Sequence, residues 1–202
     1  MLTLHQQFGE IDIYLFDQLL RGRIRPGVRI LDAGCGVGRN LVYLLREGYE
    51  VHAVDQDPQA VAEVRHLAQI LAPKLPATNF QLATLEILPY ADSYFDVVIC
   101  NAVLHFAQDD AQFRAMLKGM WRTLRTGGML FCRLASSIGM EKQVQRIAGR
   151  RFLLPDGSER YLVNAPLLEA LAAELGAELL DPIKTTIVQN QRCMTTWVIQ
   201  KT

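Results

Sequence analysis

The stretch VRILDAGCGVGRNLVYLLREGYEVHAVD, residues 28–55, decides the fold of this chain. Its apolar start at 28–32 predicts a short buried strand, and the glycines of 34–38 predict a tight loop. Residues 40–47 carry leucines on one side and predict a helix. The apolar run 50–55 predicts the next strand. A strand, a glycine loop, a helix and a strand in this order indicate the start of a parallel α/β sheet.

The same alternation continues on both sides of this stretch. Apolar residues at helical spacing predict further helices at 2–22, 58–71, 110–125 and 165–175. Short apolar runs predict strands at 79–83, 95–100 and 129–134, and β-branched residues predict two more in the tail 178–200. Residues 136–164 show no regular pattern. We therefore predict one α/β domain with a mostly parallel sheet covered by helices on both faces.

The bulk composition disfavours several function classes. Acidic and basic side chains balance at 21 each, whereas binding to a nucleic-acid backbone requires a basic surplus. No apolar run reaches the about 20 residues that a membrane span requires, and the first residues do not follow a secretory signal pattern. We expect a cytoplasmic protein without a membrane partner and without a nucleic-acid partner.

The glycine loop predicts a nucleoside cofactor. Glycine allows positive φ and lets a ligand approach the main chain closely, and the helix that follows offers free N–H groups. A dinucleotide site has the spacing G-x-G-x-x-G, but its third glycine position holds Arg39, and the glycine comes one residue early at Gly38. Asp55, at the end of the second predicted strand, can accept both ribose hydroxyl hydrogens. Because ribose is common to several cofactors, Asp55 supports a nucleoside without selecting one.

Three stretches carry a resemblance to class I S-adenosylmethionine-dependent methyltransferases. Residues 28–55 resemble the first motif pair of that family, residues 88–98 (LPYADSYFDVV) resemble its LPF-x-x-x-x-FD-x-V motif, and residues 124–130 (LRTGGML) resemble its L-K-P-G-G-x-L turn. Gly38-Arg39-Asn40 with Gly48-Tyr49 is similar to the tellurite-resistance branch and its small-molecule relatives. The resemblance implies a Rossmann-like, doubly wound, seven-stranded sheet of order 3-2-1-4-5-7-6 with the last strand antiparallel.

The resemblance also implies a cofactor, S-adenosylmethionine, which leaves as S-adenosylhomocysteine, and it implies residue roles. Gly34 and Gly36 would line the methionine part and the sugar through their backbone. Asp32 would orient the loop and help to hold the ammonium group, directly or through water. Arg39 would pair with the carboxylate or remain an exposed helix-start arginine. Asp55 would bind the ribose, Gln56 would flank the adenine, and Asn101 would lie near the reacting centre. The implied cofactor-binding residues are Asp32, Gly34, Gly36, Gly38, Arg39, Asp55, Gln56, Thr84, Leu85 and Asn101.

The adenine contact departs from the family pattern. The family usually has an acid five residues before the proline of its LP motif, and here that residue is Thr84. A threonine hydroxyl accepts a hydrogen bond more weakly than a carboxylate does. We expect either a weaker adenine contact at Thr84 or a substitute contact from Glu86. The backbone N–H of Leu85 would still reach the adenine ring.

The acceptor side is less constrained by the sequence. Because a sulfonium methyl is already activated, the enzyme must mainly orient the acceptor, and a base is needed only for a hydroxyl or a protonated amine. His105 is the candidate base, or it lines the pocket without chemistry. Phe8 and Tyr14 either cover the pocket or serve in helix packing. Arg133, in an otherwise apolar predicted strand, either points towards an anionic acceptor or extends to the surface.

We predict one methyltransferase domain over 1–202, with a helical cap at 1–24 and an acceptor-side insertion at 136–164. Its expected partner is a small-molecule acceptor, and the sequence specifies no oligomeric state. The alternatives are a non-catalytic nucleoside-binding or regulatory module and a protein or RNA methyltransferase.

The four cysteines form no CxxC pair, so we expect reduced buried thiols and no metal site. In a minority hypothesis, Cys35, Cys100 and Cys132 meet at one sheet edge and bind a soft acceptor such as arsenite or a thiol.

Overall fold

The computed structural model describes residues 2–202, and a single mixed sheet lies at its centre. The strands are β1 (Arg29–Ala33), β2 (Glu50–Asp55), β3 (Phe80–Leu82), β4 (Phe95–Asn101), β5 (Leu124–Ala135), β6 (Gln145–Ala148), β7 (Arg151–Leu153), β8 (Glu159–Tyr161), β9 (Ala177–Leu179), β10 (Lys184–Val188) and β11 (Arg192–Lys201). The central sheet has the order β10-β11-β5-β4-β1-β2-β3, and β9 also pairs with β11.

The direction of the strands matches the predicted topology. Strands β1 to β5 pair with one another in parallel, and β11 runs antiparallel to β5. Strands β9 and β10 pair with different parts of β11 and together fill the place of one edge strand. The predicted order 3-2-1-4-5-7-6 with an antiparallel last strand is therefore confirmed. The tail holds three strands, however, and not the two that its β-branched residues predicted.

Helices cover both faces of the central sheet. The helices are α1 (Leu4–Phe8), α2 (Ile13–Leu20), α3 (Val42–Arg46), α4 (Pro58–Leu71), α5 (Asp110–Thr123) and α6 (Ala165–Glu174), with short 3-10 turns at Ala77–Asn79 and Leu104–Phe106. Apolar residues of α5 and α6 pack on one face and those of α2, α3 and α4 on the other. Each face thus has its own core, as the sequence predicted for a doubly wound sheet.

The prediction of one helix over 2–22 is wrong, because α1 and α2 are separate. Gly9 ends α1 with a φ of +62°, and a Cβ at Gly9 would lie 2.7 Å from a methyl group of Val42. The chain restarts as a helix at Asp12, whose carboxylate accepts a hydrogen bond from the N–H of Tyr14. A left-handed glycine followed by an aspartate cap divides an otherwise continuous apolar pattern.

Residues 136–164, which lack a periodic pattern, contain a small antiparallel sheet of order β6-β7-β8. All four residues of β6 are exposed, so no buried face gives the strand an alternating sequence. The small sheet packs beside the 3-10 turn that follows β4. It therefore lies near the carboxyl ends of the central strands.

Candidate functional site

A cavity of about 800 Å³ lies at the carboxyl ends of β1, β2 and β4. This is the edge at which ligands bind in open α/β sheets, and the volume is within the range of small-molecule pockets. Eight of the residues predicted to bind the cofactor line the cavity: Gly34, Gly36, Arg39, Asp55, Gln56, Thr84, Leu85 and Asn101. The roles of these residues remain predictions, but the fold brings them to one place.

The glycine loop takes its shape from bonds to β2 and from close packing. The N–H groups of Gly34 and Cys35 both donate to the carbonyl of Val54, at 2.8 and 3.0 Å. Gly34 has a φ of +80°, and a Cβ there would lie 2.5 Å from a methyl group of Val103. Gly36 also has positive φ, but no atom lies within 4 Å of where its Cβ would be. The loop is thus packed at Gly34 and open to a ligand at Gly36.

Asp55 stabilises the same loop from the end of β2. One carboxylate oxygen accepts the N–H of Gly36 at 2.9 Å, and the other accepts the N–H of Asp57 at 3.0 Å. A carboxylate has about four lone-pair sites, so capacity for two further hydrogen bonds remains. Asp55 can therefore position the loop and bind ribose hydroxyls at the same time.

Arg39 and Asn101 meet across the floor of the cavity. The Arg39 guanidinium donates to the side-chain oxygen of Asn101 at 3.1 Å. The amide nitrogen of Asn101 is buried and has no hydrogen-bond partner among residues 2–202. A buried donor without a partner is costly, and a ligand carboxylate would satisfy it. This orphaned donor fits the predicted place of the methionine part of the cofactor.

Two residues predicted to contact the cofactor lie behind the cavity wall. Asp32 is buried at the end of β1, and one of its carboxylate oxygens has no partner within residues 2–202. Burial raises the pKa of Asp32 to about 7, while the charge of Arg39 acts in the opposite direction. Gly38 faces α4, where a Cβ would lie 2.9 Å from a methyl group of Val64. Asp32 and Gly38 are therefore not among the residues that line the cavity in this structure.

Thr84, Leu85 and Glu86 form the far wall of the cavity. The Glu86 carboxylate accepts a hydrogen bond from the side chain of Gln112 at 2.9 Å. Burial acts to raise the pKa of Glu86, but hydrogen bonds to the carboxylate outweigh it, so the pKa is lowered. A charged carboxylate is therefore held beside Thr84, as the substitute contact requires. Gln112 lies on α5, and Gly119 of the same helix packs against the backbone of Leu85 in this wall.

Several cavity residues gave no signal in the sequence. They come from the segment after β4 and from α5, which the fold brings against the site: Ala102, Val103, Phe106, Gln108, Gln112 and Met116. Ala102 is the most unusual of them, because its φ is +63°. Its N–H donates to the carbonyl of Arg133 at 2.7 Å, which helps to hold this strained conformation. An alanine in a sequence does not predict a positive φ, so this conformation is known only from the structure.

A smaller cavity of about 300 Å³ adjoins the first, since Arg39 and Ala102 line both. His105 and Arg133 lie in this second cavity and not in the first. The small sheet contributes one part of the wall through β8 and the turn before it, among them Asp156 and Arg160, and β10 and β11 contribute another through Val188, Arg192 and Met194. The predicted acceptor-side residues His105 and Arg133 thus lie together, beside the predicted cofactor site.

His105 has one ring nitrogen already engaged. Its Nδ1 accepts the N–H of Ala135 at 3.2 Å, and the ring is 6% exposed. Burial, with a smaller effect from the charge of Arg160, lowers the pKa of His105 to about 4. A neutral ring that accepts at Nδ1 carries its proton on Nε2, so it can donate a hydrogen bond but has no free lone pair for a base. The proposed base role stays untested, and this arrangement favours a donor.

Phe8 and Tyr14 line neither cavity in the described structure. Phe8 stacks on Tyr43 and meets the edge of Phe16, with ring centroids 5.0 and 4.9 Å apart. This is the helix-packing alternative, so the structure does not support a direct contact of Phe8 with the acceptor. Tyr14 is closer to the site, because the Arg133 guanidinium lies 5.3 Å from its ring centroid.

The cysteines do not form the soft site of the minority hypothesis. Cys100 and Cys132 pair in register on β4 and β5 within the core beneath α5, whereas Cys35 belongs to the core of the opposite face. Burial raises the pKa of the Cys132 thiol, which makes it a poor nucleophile. Within residues 2–202, no three His, Cys, Asp or Glu side chains lie together as a metal site. None of the described helices is both long and apolar enough to cross a membrane.

Comparisons with known proteins give a consistent family. Residues 31–132 match the family model described as a methyltransferase domain. The malonyl-[acyl-carrier protein] O-methyltransferase of Enterobacter lignolyticus is 32% identical over 127 residues, which cover 62% of this chain and 47% of that protein. The chain spans about half the length of the first curated relatives it matches, at 46% and 47%.

Solved structures show the same fold at low sequence identity. The PH0226 protein from Pyrococcus horikoshii has a TM-score of 0.73 and 18% identity, with 94% of this chain and 89% of that chain covered. The 1,6-didemethyltoxoflavin-N1-methyltransferase of Burkholderia thailandensis, with bound 1,6-didemethyltoxoflavin and S-adenosylhomocysteine, has a TM-score of 0.69 and 22% identity. The match covers 93% of this chain and 76% of that chain.

Proposed function

This chain belongs to the methyltransferase-domain family, and from that premise we propose that it transfers a methyl group from S-adenosylmethionine to a small-molecule acceptor. The observation that carries the proposal is the larger cavity, in which the open backbone at Gly36 lies beside the Asp55 carboxylate. The predicted family is confirmed, whereas the finer resemblance to the tellurite-resistance branch remains a prediction.

The residues present fit such a cofactor. Asp55 offers spare lone pairs to the ribose hydroxyls, and the missing side chain at Gly36 leaves room for the sugar to approach the main chain. The unpartnered amide nitrogen of Asn101 and the guanidinium of Arg39 are donors that suit a carboxylate. Thr84 and the charged Glu86 offer acceptors to an amino group at the other end of the cavity.

The chemistry requires mainly orientation. Bound S-adenosylmethionine would supply a methyl group activated by its sulfonium, whose bond to sulfur would break as the acceptor attacks in line, with S-adenosylhomocysteine as the leaving group. The chain itself has to hold the acceptor on the far side of that methyl group, and Arg39 and Ala102 mark the border between the two cavities. The Nε2–H of His105 can donate a hydrogen bond to the acceptor from the second cavity. A donor there would fix the acceptor's position and would not remove a proton from it.

Two observations support a small acceptor. The second cavity measures about 300 Å³, at the lower end of the range for small-molecule sites. The Burkholderia thailandensis structure, which shares the fold, carries 1,6-didemethyltoxoflavin together with S-adenosylhomocysteine. The chain is electrically neutral overall, which gives no support to an RNA acceptor.

Calorimetric titration with S-adenosylmethionine, S-adenosylhomocysteine and NAD tests the cofactor class. We expect saturable binding of the first two and none of NAD, because Arg39 occupies the third glycine position of a dinucleotide loop. Binding of NAD without any response to the two sulfur nucleosides would refute the proposal. Release of labelled S-adenosylhomocysteine in the presence of candidate acceptors would then separate an enzyme from a non-catalytic nucleoside-binding module.

A further inference from the structure

We propose that the smaller cavity is an anion-binding subsite, which holds the acceptor by a carboxylate or phosphate group. The inference rests on the proposed function, because it names the chemistry by which the same site recognises its acceptor. Four arginines line this cavity: Arg39, Arg133, Arg160 and Arg192. They come from the glycine loop, β5, β8 and β11, so distant parts of the chain bring their positive charges to one small space.

Arginines outnumber carboxylates in the lining of the smaller cavity, although the net charge of the chain is zero. Among the described residues, Asp156 is the only carboxylate that lines the cavity. Its oxygen accepts from the N–H and the hydroxyl of Ser158, at 2.9 and 2.6 Å, and these bonds lower its pKa. Asp156 forms no ion pair with an arginine within residues 2–202, but the nearby charges of Arg160 and Arg192 also lower its pKa, so it offsets one of the four positive charges. The ring of His105 is uncharged near neutral pH, because burial lowers its pKa to about 4.

Three of the four guanidinium groups, those of Arg39, Arg160 and Arg192, have no carboxylate partner among residues 2–202. Among residues 2–202, only Arg133 of this set pairs with a carboxylate, that of Asp12 at 2.7 Å. Its Nε is buried without a partner. Arg160 donates to the neighbouring carbonyl of Glu159 and stacks over Phe106, 4.8 Å from the ring centroid. Arginine forks bind carboxylate and phosphate groups in a bidentate manner, so unpaired guanidiniums around one cavity point to an anion.

The subsite is placed where it can hold an anionic group of the acceptor. Arg39 and Ala102 line both cavities, so an anion bound between Arg133 and Arg160 lies directly beside the proposed cofactor site. The guanidinium of Arg160 stacks on the ring of Phe106, which lines the larger cavity. An acceptor that spans both cavities would have its anionic end held by the arginines and its remainder near the methyl group.

The probes are benzoate, inorganic phosphate and neutral benzamide. Each is titrated at low ionic strength into the protein alone and into protein saturated with S-adenosylhomocysteine, and the arginine Nε–H signals are followed by NMR. Comparison of benzoate with phosphate shows whether the subsite prefers a carboxylate or a phosphate group. The variants are Arg160→Gln and Arg133→Gln, with Arg46→Gln as the matched control, since Arg46 is exposed on α3 and carries the same charge away from the site.

We expect one of the two anions to bind saturably, and we expect each site variant to raise its dissociation constant by about tenfold. Arg46→Gln removes one positive charge away from the cavity, so it shows whether net charge alone accounts for binding. Benzamide has the shape of benzoate without its charge, so it shows whether the anionic group is required. The proposal is overturned if neither anion saturates, if benzamide binds equally, or if Arg46→Gln weakens binding as much as the site variants do. Arg160→Gln keeps the test valid if loss of the Arg133–Asp12 pair prevents folding, because Arg160 forms no ion pair among the described residues.

Failure of the two proposals can be told apart on the same samples. If S-adenosylhomocysteine does not bind, the proposed function fails, and the anion titration into protein alone still reports on the subsite. If S-adenosylhomocysteine binds and no anion does, only the anion subsite is refuted.

Discussion

Asp55 connects the main chain and the proposed ligand through one carboxylate. It accepts the N–H groups of Gly36 and Asp57, and it lines the cavity that we propose for the cofactor. We expect Asp55→Ala to abolish measurable binding of S-adenosylhomocysteine in a calorimetric titration, because both the ribose acceptor and the anchor of the loop are lost.

Asp57→Ala is the control for that substitution. The Asp57 side chain caps α4 by accepting the N–H of Gln59 at 2.9 Å, so its loss costs about 1 kcal/mol of stability without removing the Asp55 carboxylate. We expect the control to unfold at a lower denaturant concentration and to keep its affinity. Unchanged affinity in Asp55→Ala would contradict the ribose role.

At the residue scale, the sequence predicts the cofactor side of the site better than the acceptor side. Gly36 and Asp55 lie in one local stretch, whose strand–loop–helix order fixes their positions. Arg133 and Arg160 come together only through tertiary packing of β5 and the small sheet, for which no periodic pattern exists. Ala102 is a further case, since its positive φ depends on the surrounding contacts and not on its own side chain.

At the scale of elements, alternation and apolar spacing suffice for the central sheet, because buried parallel strands are continuous apolar runs. The same reasoning fails at the N-terminus, where Gly9 divides one apolar pattern into α1 and α2. It also fails at β6, whose exposed residues carry no alternation. Helices and strands that bury an apolar face can therefore be predicted from the sequence. Those whose bounds or position depend on contacts with other parts of the chain cannot.

Helix α5 supports the far wall of the larger cavity at a glycine. A Cβ at Gly119 would overlap the carbonyl oxygen of Leu85, so the helix and the wall are in direct contact there. We expect Gly119→Ala to lower the free energy of unfolding by about 1–3 kcal/mol and to weaken S-adenosylhomocysteine binding, because the wall must move. Urea unfolding and calorimetry measure the two effects.

Lys118→Ala, at the exposed neighbouring position of α5, is the control for the glycine substitution. Alanine is favourable in a helix, so this variant should change stability by no more than a few tenths of a kcal/mol and should leave binding intact. If Gly119→Ala were as stable and as tightly binding as the control, the close contact with Leu85 would not limit the site.

For the whole molecule, the buried carboxyl of Asp32 links stability to pH. Burial raises its pKa from 3.8 to about 7, whereas the unfolded chain keeps the lower value. Between these values the folded protein holds a proton that the unfolded protein has released. The stability present below about pH 4 is therefore lost progressively up to about pH 7, by at most about 1.4 kcal/mol per pH unit, and is constant above.

Asp32→Asn removes this titration while it keeps the shape of the side chain. We expect the difference in unfolding free energy between Asp32→Asn and the unchanged protein to shift in favour of the variant as the pH rises from about 5 to about 8. Urea midpoints at both pH values measure it, and the lowered pKa of His105 cancels in the difference because both proteins contain that ring. The same substitution at Asp92, which is 76% exposed, tests whether burial is required. Parallel stability curves for the Asp32 variant and the unchanged protein would show that this carboxyl is already ionised in the folded state.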